Sequence, residues 1–308
     1  MAHTIGTPIF WSAFLLIVLV LLLIDLGVFH RKAHAVSFRE ALLWSVVWVT
    51  LSLSFGVWIY FKFGRQNGLE FLAGYLIEYA LSVDNIFVFI LIFSYFAVPA
   101  TLHHRVLFWG ILGALLMRVT FVLAGAALIS AFHWVIYIFG AFLVFTGAKI
   151  LRKGDAKVEP EHNPVVRVFR RLVPTASGYG SGSFFLRQEG KLVATPLALV
   201  LITVETTDVV FAVDSIPAIF GVTRDPFIVY TSNVCAILGL RSMYFLLAAV
   251  INRFAYLGTG LGIVLIFIGV KMLLSGFYQV PIGWSLAVVA AVLAGSVGIS
   301  LIWPPRKP

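Results

Sequence analysis

The sequence predicts an all-α membrane protein of about nine transmembrane helices, with two inverted three-helix repeats. Three observations carry this. The chain has 308 residues, 61% hydrophobic and 11% charged, where a soluble domain carries about a quarter charged residues. Apolar runs near 20 residues recur, each able to cross roughly 30 Å of hydrocarbon as a helix. In lipid only helices or a closed barrel satisfy the backbone, and these runs are too long and uniformly apolar for barrel strands. Finally, a short acidic motif occurs twice, as Ser82-Val83-Asp84-Asn85-Ile86 and Ala212-Val213-Asp214-Ser215-Ile216.

The spans follow in order. The first, 9–29, has no basic leader or cleavage site and is followed by Arg31 and Lys32, so it reads as a retained helix rather than a signal peptide. Asp25 near its end suits the membrane interface. Spans 41–61, 71–96, 106–130 and 133–151 come next. The loop 152–192 begins with mixed charge and passes through a Gly/Ser-rich stretch, Ser177 to Ser183. It ends in two short apolar arms around Glu189-Gly190, which suit a small hairpin; the same composition suits a solvated linker between two halves. Spans 193–220, 227–251, 258–276 and 281–303 complete the chain. The blocks are then 1–70, two N-terminal helices; 71–151, the first repeat; 152–192, the loop; 193–276, the second repeat; and 277–308, the last helix and tail.

Charge sets the orientation. Of the 22 Lys and Arg, 15 fall in loops on the side that follows the first span, and three (Lys62, Arg65 and Arg224) fall on the other. The positive-inside rule then places the N-terminus outside and the C-terminus in the cytoplasm of a bacterial inner membrane. The net charge of +9 follows from this bias and does not call for nucleic acid. The single cysteine, Cys235, excludes an intrachain disulfide and sits in an apolar run, where packing explains it.

The repeat rests on ordered matches. Six residues before each motif Asp lies another acid, Glu78 and Asp208. The middle helices share Ile111-Leu112-Gly113 with Arg118 and Ile237-Leu238-Gly239 with Arg241. The third helices share Phe145-Thr146-Gly147-Ala148-Lys149 and Phe267-Ile268-Gly269-Val270-Lys271. Three helices is an odd number, so adjacent repeats enter the membrane from opposite sides. Such inverted repeats mark transporters with a site near the midplane.

Five of the 13 acids lie deep in two spans: Glu78, Asp84, Glu205, Asp208 and Asp214. An ionised Asp at mid-membrane costs about 2.5–3.5 kcal/mol. Protonation, pairing with Arg118, Arg241, Lys149 or Lys271, or binding of a metal would each compensate. Six residues on a helix are about 9 Å along the axis and about 120° off one face. Either the helices break there, or each acid meets a different partner; Pro217 favours a break just after Asp214. Asp84 and Asp214 are expected as the central pair, with Asn85 and Ser215 adjoining and Glu78, Asp208 and Glu205 around them. Asn233 is a polar group on the pathway, or a plain interhelical hydrogen bond. Carboxylate, amide and hydroxyl oxygens are hard ligands that suit Mg, Ca and Mn. The seven histidines lie in loops, at termini or at span ends, and sparse Cys and Met argue against Zn and Cu(I). A peripheral metal at His103-His104 is the lesser reading against a solvated loop.

At Glu78-Tyr79-Ala80-Leu81-Ser82-Val83-Asp84-Asn85 and from Glu205 to Phe220, the chain resembles the TerC/Alx family of integral membrane proteins. Asp225-Pro226-Phe227-Ile228-Val229, Thr231-Ser232-Asn233 and Ile237-Leu238-Gly239-Leu240-Arg241 extend the resemblance over nearly the whole chain. It implies a link to manganese homeostasis, alkaline-pH response and tellurite resistance, and a grouping with LysE-type transporters. The residues alone imply a hard cation; the resemblance implies Mn²⁺ export. An enzyme is disfavoured, since the chain lacks a Gly-x-Gly-Asp protease context and a Gly-x-Ser-x-Gly elbow. A metal-sensing membrane scaffold, with an unknown partner at the 152–192 loop, is the alternative. The expected partners are thus a divalent cation and membrane lipid.

Overall fold

The computed structural model describes residues 4–29, 37–132, 134–153, 166–169, 173–176, 178–179, 182–188, 191–248, 256–278 and 280–302. Five helices come first: α1 Pro8–Phe29, α2 Phe38–Phe63, α3 Arg65–Tyr95, α4 Ala100–Ala131 and α5 Val135–Lys153. A two-stranded hairpin follows, β1 Phe185–Gln188 and β2 Lys191–Ala194. Then come α6 Pro196–Phe220, α7 Pro226–Leu238, α8 Leu240–Ala248, α9 Leu257–Leu274 and α10 Ile282–Ile302.

Local chemistry sets several of these boundaries. Ser37 caps α2 by accepting from the Glu40 amide, which satisfies one of the first-turn donors. Gly64, at φ 95°, turns α2 into α3 through left-handed backbone that a β-carbon disfavours. Pro226 opens α7 at a position that needs no donor, and Asp225 caps it through the Phe227 amide at 2.8 Å.

The span count corrects the expectation of nine. Among the described residues six helices are long and apolar enough to cross a membrane, or seven if α7 and α8 form one bent span. The apolar stretches Pro8–Ile24 and Gly258–Leu274 are shorter. The two inverted three-helix repeats are corrected with it. The proposed middle helices differ in kind: α4 runs 32 residues unbroken, while its supposed counterpart splits at Gly239 into pieces of 13 and 9 residues bent by 42°. Among the described residues no clear three-helix unit recurs. Short sequence matches fix residue types, whereas a repeat requires helices of like length and packing.

Helix α3 is the hub, packed on α2, α6, α7 and α10. Helix α4 packs on α6 and α7, and α5 on α9. The α5/α9 pair is close because glycines face each other. A β-carbon at Gly147 would sit 2.5 Å from the Gly262 carbonyl oxygen, and one at Gly140 would sit 2.9 Å from that of Gly269. Small residues let membrane helices approach this way. On the outside, Leu16, Leu19, Phe61, Leu116, Phe145 and Val210 are exposed and suited to lipid contact.

The arms of the 152–192 loop form the hairpin rather than a plain linker. Phe185 pairs with Ala194 and Gln188 with Lys191, antiparallel. The loop's described residues Tyr179 and Phe184 lie against the bundle. The Tyr179 hydroxyl donates to the Phe96 carbonyl, Phe184 packs edge-on against Trp109, and Arg105 lies over the Phe184 ring at 5.6 Å. Partial burial holds the Tyr179 phenol above its usual range, so it stays a donor at neutral pH.

Candidate functional site

The site is built by three helices. Glu78 lies in the middle of α3, Arg118 in the second half of α4, and Asp208 and Ser215 two turns apart on α6. All four side chains are buried, Glu78 and Arg118 completely. Arg118 Nη1 donates to Glu78 Oε1 at 2.7 Å and to Ser215 Oγ at 2.9 Å. Arg118 Nη2 reaches Asp208 Oδ1 at 3.4 Å, a longer contact. One guanidinium therefore ties α3, α4 and α6 together. The fork of an arginine suits this, since it presents donors in several fixed directions.

The charge count is uneven. Among the described residues two carboxylates face one guanidinium, and one oxygen of each carboxylate, Glu78 Oε2 and Asp208 Oδ2, is buried without a hydrogen-bond partner. Glu205 adds a third acid one turn before Asp208. Its half-buried carboxyl lies against Gly113 of α4, where a β-carbon would collide with it. A narrow cavity adjoins the cluster, lined by Arg118, Asp208, Phe89, Ile111 and Ile237 among others, and open by about 10 Å³. Among the described residues no group of three or more His, Cys, Asp or Glu could hold a metal ion. The arrangement can hold a proton or favour a cation at its excess negative charge.

The expected site residues fall into three groups. Glu78, Asp208, Ser215 and Arg118 come together. Asn85, Asn233 and Arg241 are buried; Arg241 is engaged, while neither polar atom of the Asn233 amide has a partner among the described residues. Lys149 is exposed, and Lys271 is half-buried within electrostatic reach of Glu70, so neither joins the cluster. The side chains of Asp84, Asp214 and Asp25 lie outside the described residues.

The helix geometry also decides between the alternatives that the six-residue spacing left open. Helix α3 is continuous through Glu78 and Asp84, and α6 through Asp208 and Asp214. Pro217 does not break α6: the helix runs through it to Phe220, and its carbonyl accepts from the Gly221 amide. The break falls at Gly239. Its freed carbonyls are occupied: Gly239 O accepts from the Ser242 hydroxyl and the Met243 amide, and Cys235 O accepts from Ser52 Oγ.

Three residues escaped the sequence reading. His103 is not in a solvated loop but half-buried in the first turn of α4. One ring nitrogen meets the Val98 carbonyl at 3.0 Å and the other the Tyr244 hydroxyl at 3.1 Å, so both are taken. Asp225 holds the chain start as well as α7: Thr4 Oγ1 donates to it at 2.6 Å and the Ile5 amide at 2.7 Å. Ser82, inside the repeated motif, is fully buried, and its hydroxyl has no partner among the described residues.

Comparison with known proteins agrees on one family. The pattern that describes the integral membrane protein TerC family matches residues 63–307. An "Uncharacterized membrane protein STKORF319" of Myxococcus xanthus is 50% identical over 305 residues, covering 99% of this chain and 96% of its own. The "Putative membrane-bound redox modulator Alx" of Escherichia coli (strain K12) is 50% identical over 300 residues, 94% of each chain. An "Uncharacterized membrane protein" of Rickettsia bellii is 39% identical over 292 residues, 95% of this chain and 97% of its own. No solved structure matches. The family description and these names speak of membrane proteins and a modulator, not of enzymes.

Proposed function

The chain belongs to the integral membrane protein TerC family, and from that premise we propose that it exports a hard divalent cation, Mn²⁺ first, across the inner membrane. The reading includes the grouping with LysE-type transporters and an N-terminus outside. The observation that supports it is the surplus of buried carboxylate around Arg118: two acids on one base, with an unpartnered oxygen on each. Surplus negative charge in a membrane interior is costly, and a proton or a cation removes that cost. Carboxylates that alternate between protonated and metal-bound states would couple the two. Asp84 and Asp214 remain the proposed central ligands, with Asn85, Ser215 and Glu205 adjoining.

Purified protein in proteoliposomes, tested with Mn²⁺, Mg²⁺, Ca²⁺ and Zn²⁺, measures this directly. Mn²⁺ flux is expected, and Asp84→Ala and Asp214→Ala are expected to abolish it while leaving membrane insertion intact. If both variants move Mn²⁺ like the parent, the central pair is wrong; if no cation moves in the parent protein, the transport reading fails.

A metal-sensing membrane scaffold with a stress role is a second reading, favoured by the relatives named as a putative redox modulator. The docked hairpin offers such a scaffold an ordered surface. Thiol–disulfide chemistry within one chain is not its means, since Cys235 is the single cysteine and is buried. Cys235→Ser should therefore leave any redox phenotype unchanged. Deleting residues 173–194 separates the readings: flux that survives in liposomes counts against an obligatory partner at the loop.

A further inference from the structure

We infer that one face of α3 and the facing turn of α7 form an internal water site that supplies the Glu78–Arg118–Asp208 cluster. On a helix, four residues turn about 40° past one circle and seven about 20° short of two. Glu78, Ser82, Asn85 and Phe89 stand at offsets of 0, 4, 7 and 11 along α3, so they share one face. At one end of this stripe Glu78 holds Arg118. At the other, Phe89 lines the cavity that Arg118 and Asp208 also line. Ser82 and Asn85 therefore lie between them, facing the same interior.

Helix α7 supplies the opposite wall. It packs along α3, and a β-carbon at Gly74 would touch the Ser232 hydroxyl at 2.7 Å, which fixes the register. Asn233 is the next residue. It stands one turn before Ile237, which lines the same cavity, and residues four apart share a helix face. Asn233 and Ser82 are both completely buried.

What points to water is the set of buried atoms with no partner among the described residues. They are Ser82 Oγ, both polar atoms of the Asn233 amide, Glu78 Oε2, Asp208 Oδ2 and Arg118 Nε. The set mixes donors and acceptors, as water needs and as a bare cation does not. A buried water makes about three hydrogen bonds, so one water satisfies about half of these six atoms. Of their residues, Arg118 and Asp208 line the cavity, which is open by about 10 Å³, close to the room one water requires. Apolar packing alone would have placed alanine and leucine at these positions without orphaned groups.

The hydration stands apart from the transport reading, but its role in moving protons or cations rests on it. The first test is radiolytic hydroxyl-radical footprinting of the full chain in lipid nanodiscs, because bound water labels the side chains it touches. Ile237 and Phe89 should be labelled about fivefold faster than Leu143, which is buried in the separate α5/α9 core. The double variant Ser82→Ala/Asn233→Leu should bring both down to the Leu143 level. Should it not fold, Ser82→Ala alone is expected to lower labelling at Phe89 by about half. Labelling of Ile237 and Phe89 no faster than Leu143 in the parent protein overturns the water site, as does labelling that the variants leave unchanged. The second test is Mn²⁺ flux in proteoliposomes, expected to fall about tenfold in the double variant. Unchanged flux with lost labelling overturns the supply role alone.

Discussion

Arg118 is the largest fully buried side chain among the described residues, and it is a cation in a membrane interior. Its position is tolerable because Glu78 and Asp208 face it. Removing one partner of a buried pair leaves an uncompensated charge, at about 3–5 kcal/mol. Arg118→Met is therefore expected to lower the melting temperature in detergent sharply. Adding Glu78→Gln and Asp208→Asn to it should restore much of the loss, because the orphaned charges go too. Gly113 makes a finer point. A methyl there would collide with the Glu205 carboxyl, so Gly113→Ala should displace that acid and reduce cation flux more than it reduces stability. Arg118 was one of four in-span bases legible as partners. Which acids it meets was not, since spacing along one chain fixes faces of single helices and says nothing of where two helices cross.

At the level of elements, proline and glycine exchanged roles. Pro217 looked like the helix breaker, yet α6 runs through it to Phe220. Pro217→Ala restores the missing amide donor inside α6 and is expected to raise the melting temperature, by the equivalent of up to about 3 kcal/mol, and to leave flux intact. The bend instead lies at Gly239, inside the apolar run Ile237 to Leu240, where nothing local announces it. Serines from α8 and α2 satisfy the carbonyls it frees, and that compensation comes from packing. The α5/α9 seam behaves similarly. Its Phe-x-Gly-x-Lys matches were legible, but they read as a repeat, while in space the glycines are the contact itself. Gly147→Val should force the backbones apart, at about 1–3 kcal/mol, read as a lower melting temperature and reduced yield of folded protein.

For the whole molecule, orientation is the testable quantity. Cys235 is buried, so the chain carries little reactive thiol of its own. In a Cys235→Ser background, Gln66→Cys should react with a membrane-impermeant maleimide in intact cells, and Gly178→Cys only in inside-out vesicles. The reverse pattern overturns the N-outside topology. The sequence by itself determined that this is a helical integral membrane protein, that acids are concentrated in α3 and α6, and which family it belongs to. Composition and run length suffice for the first, because lipid allows so few backbone solutions. Only the tertiary structure decided the count of six or seven spans among the described residues, the place of the bend, the docking of the loop hairpin, and the pairing of Glu78 and Asp208 through Arg118. Each of these depends on where distant helices cross, and hydropathy, which reports each segment's preference for lipid, carries no information about which neighbour it will meet there.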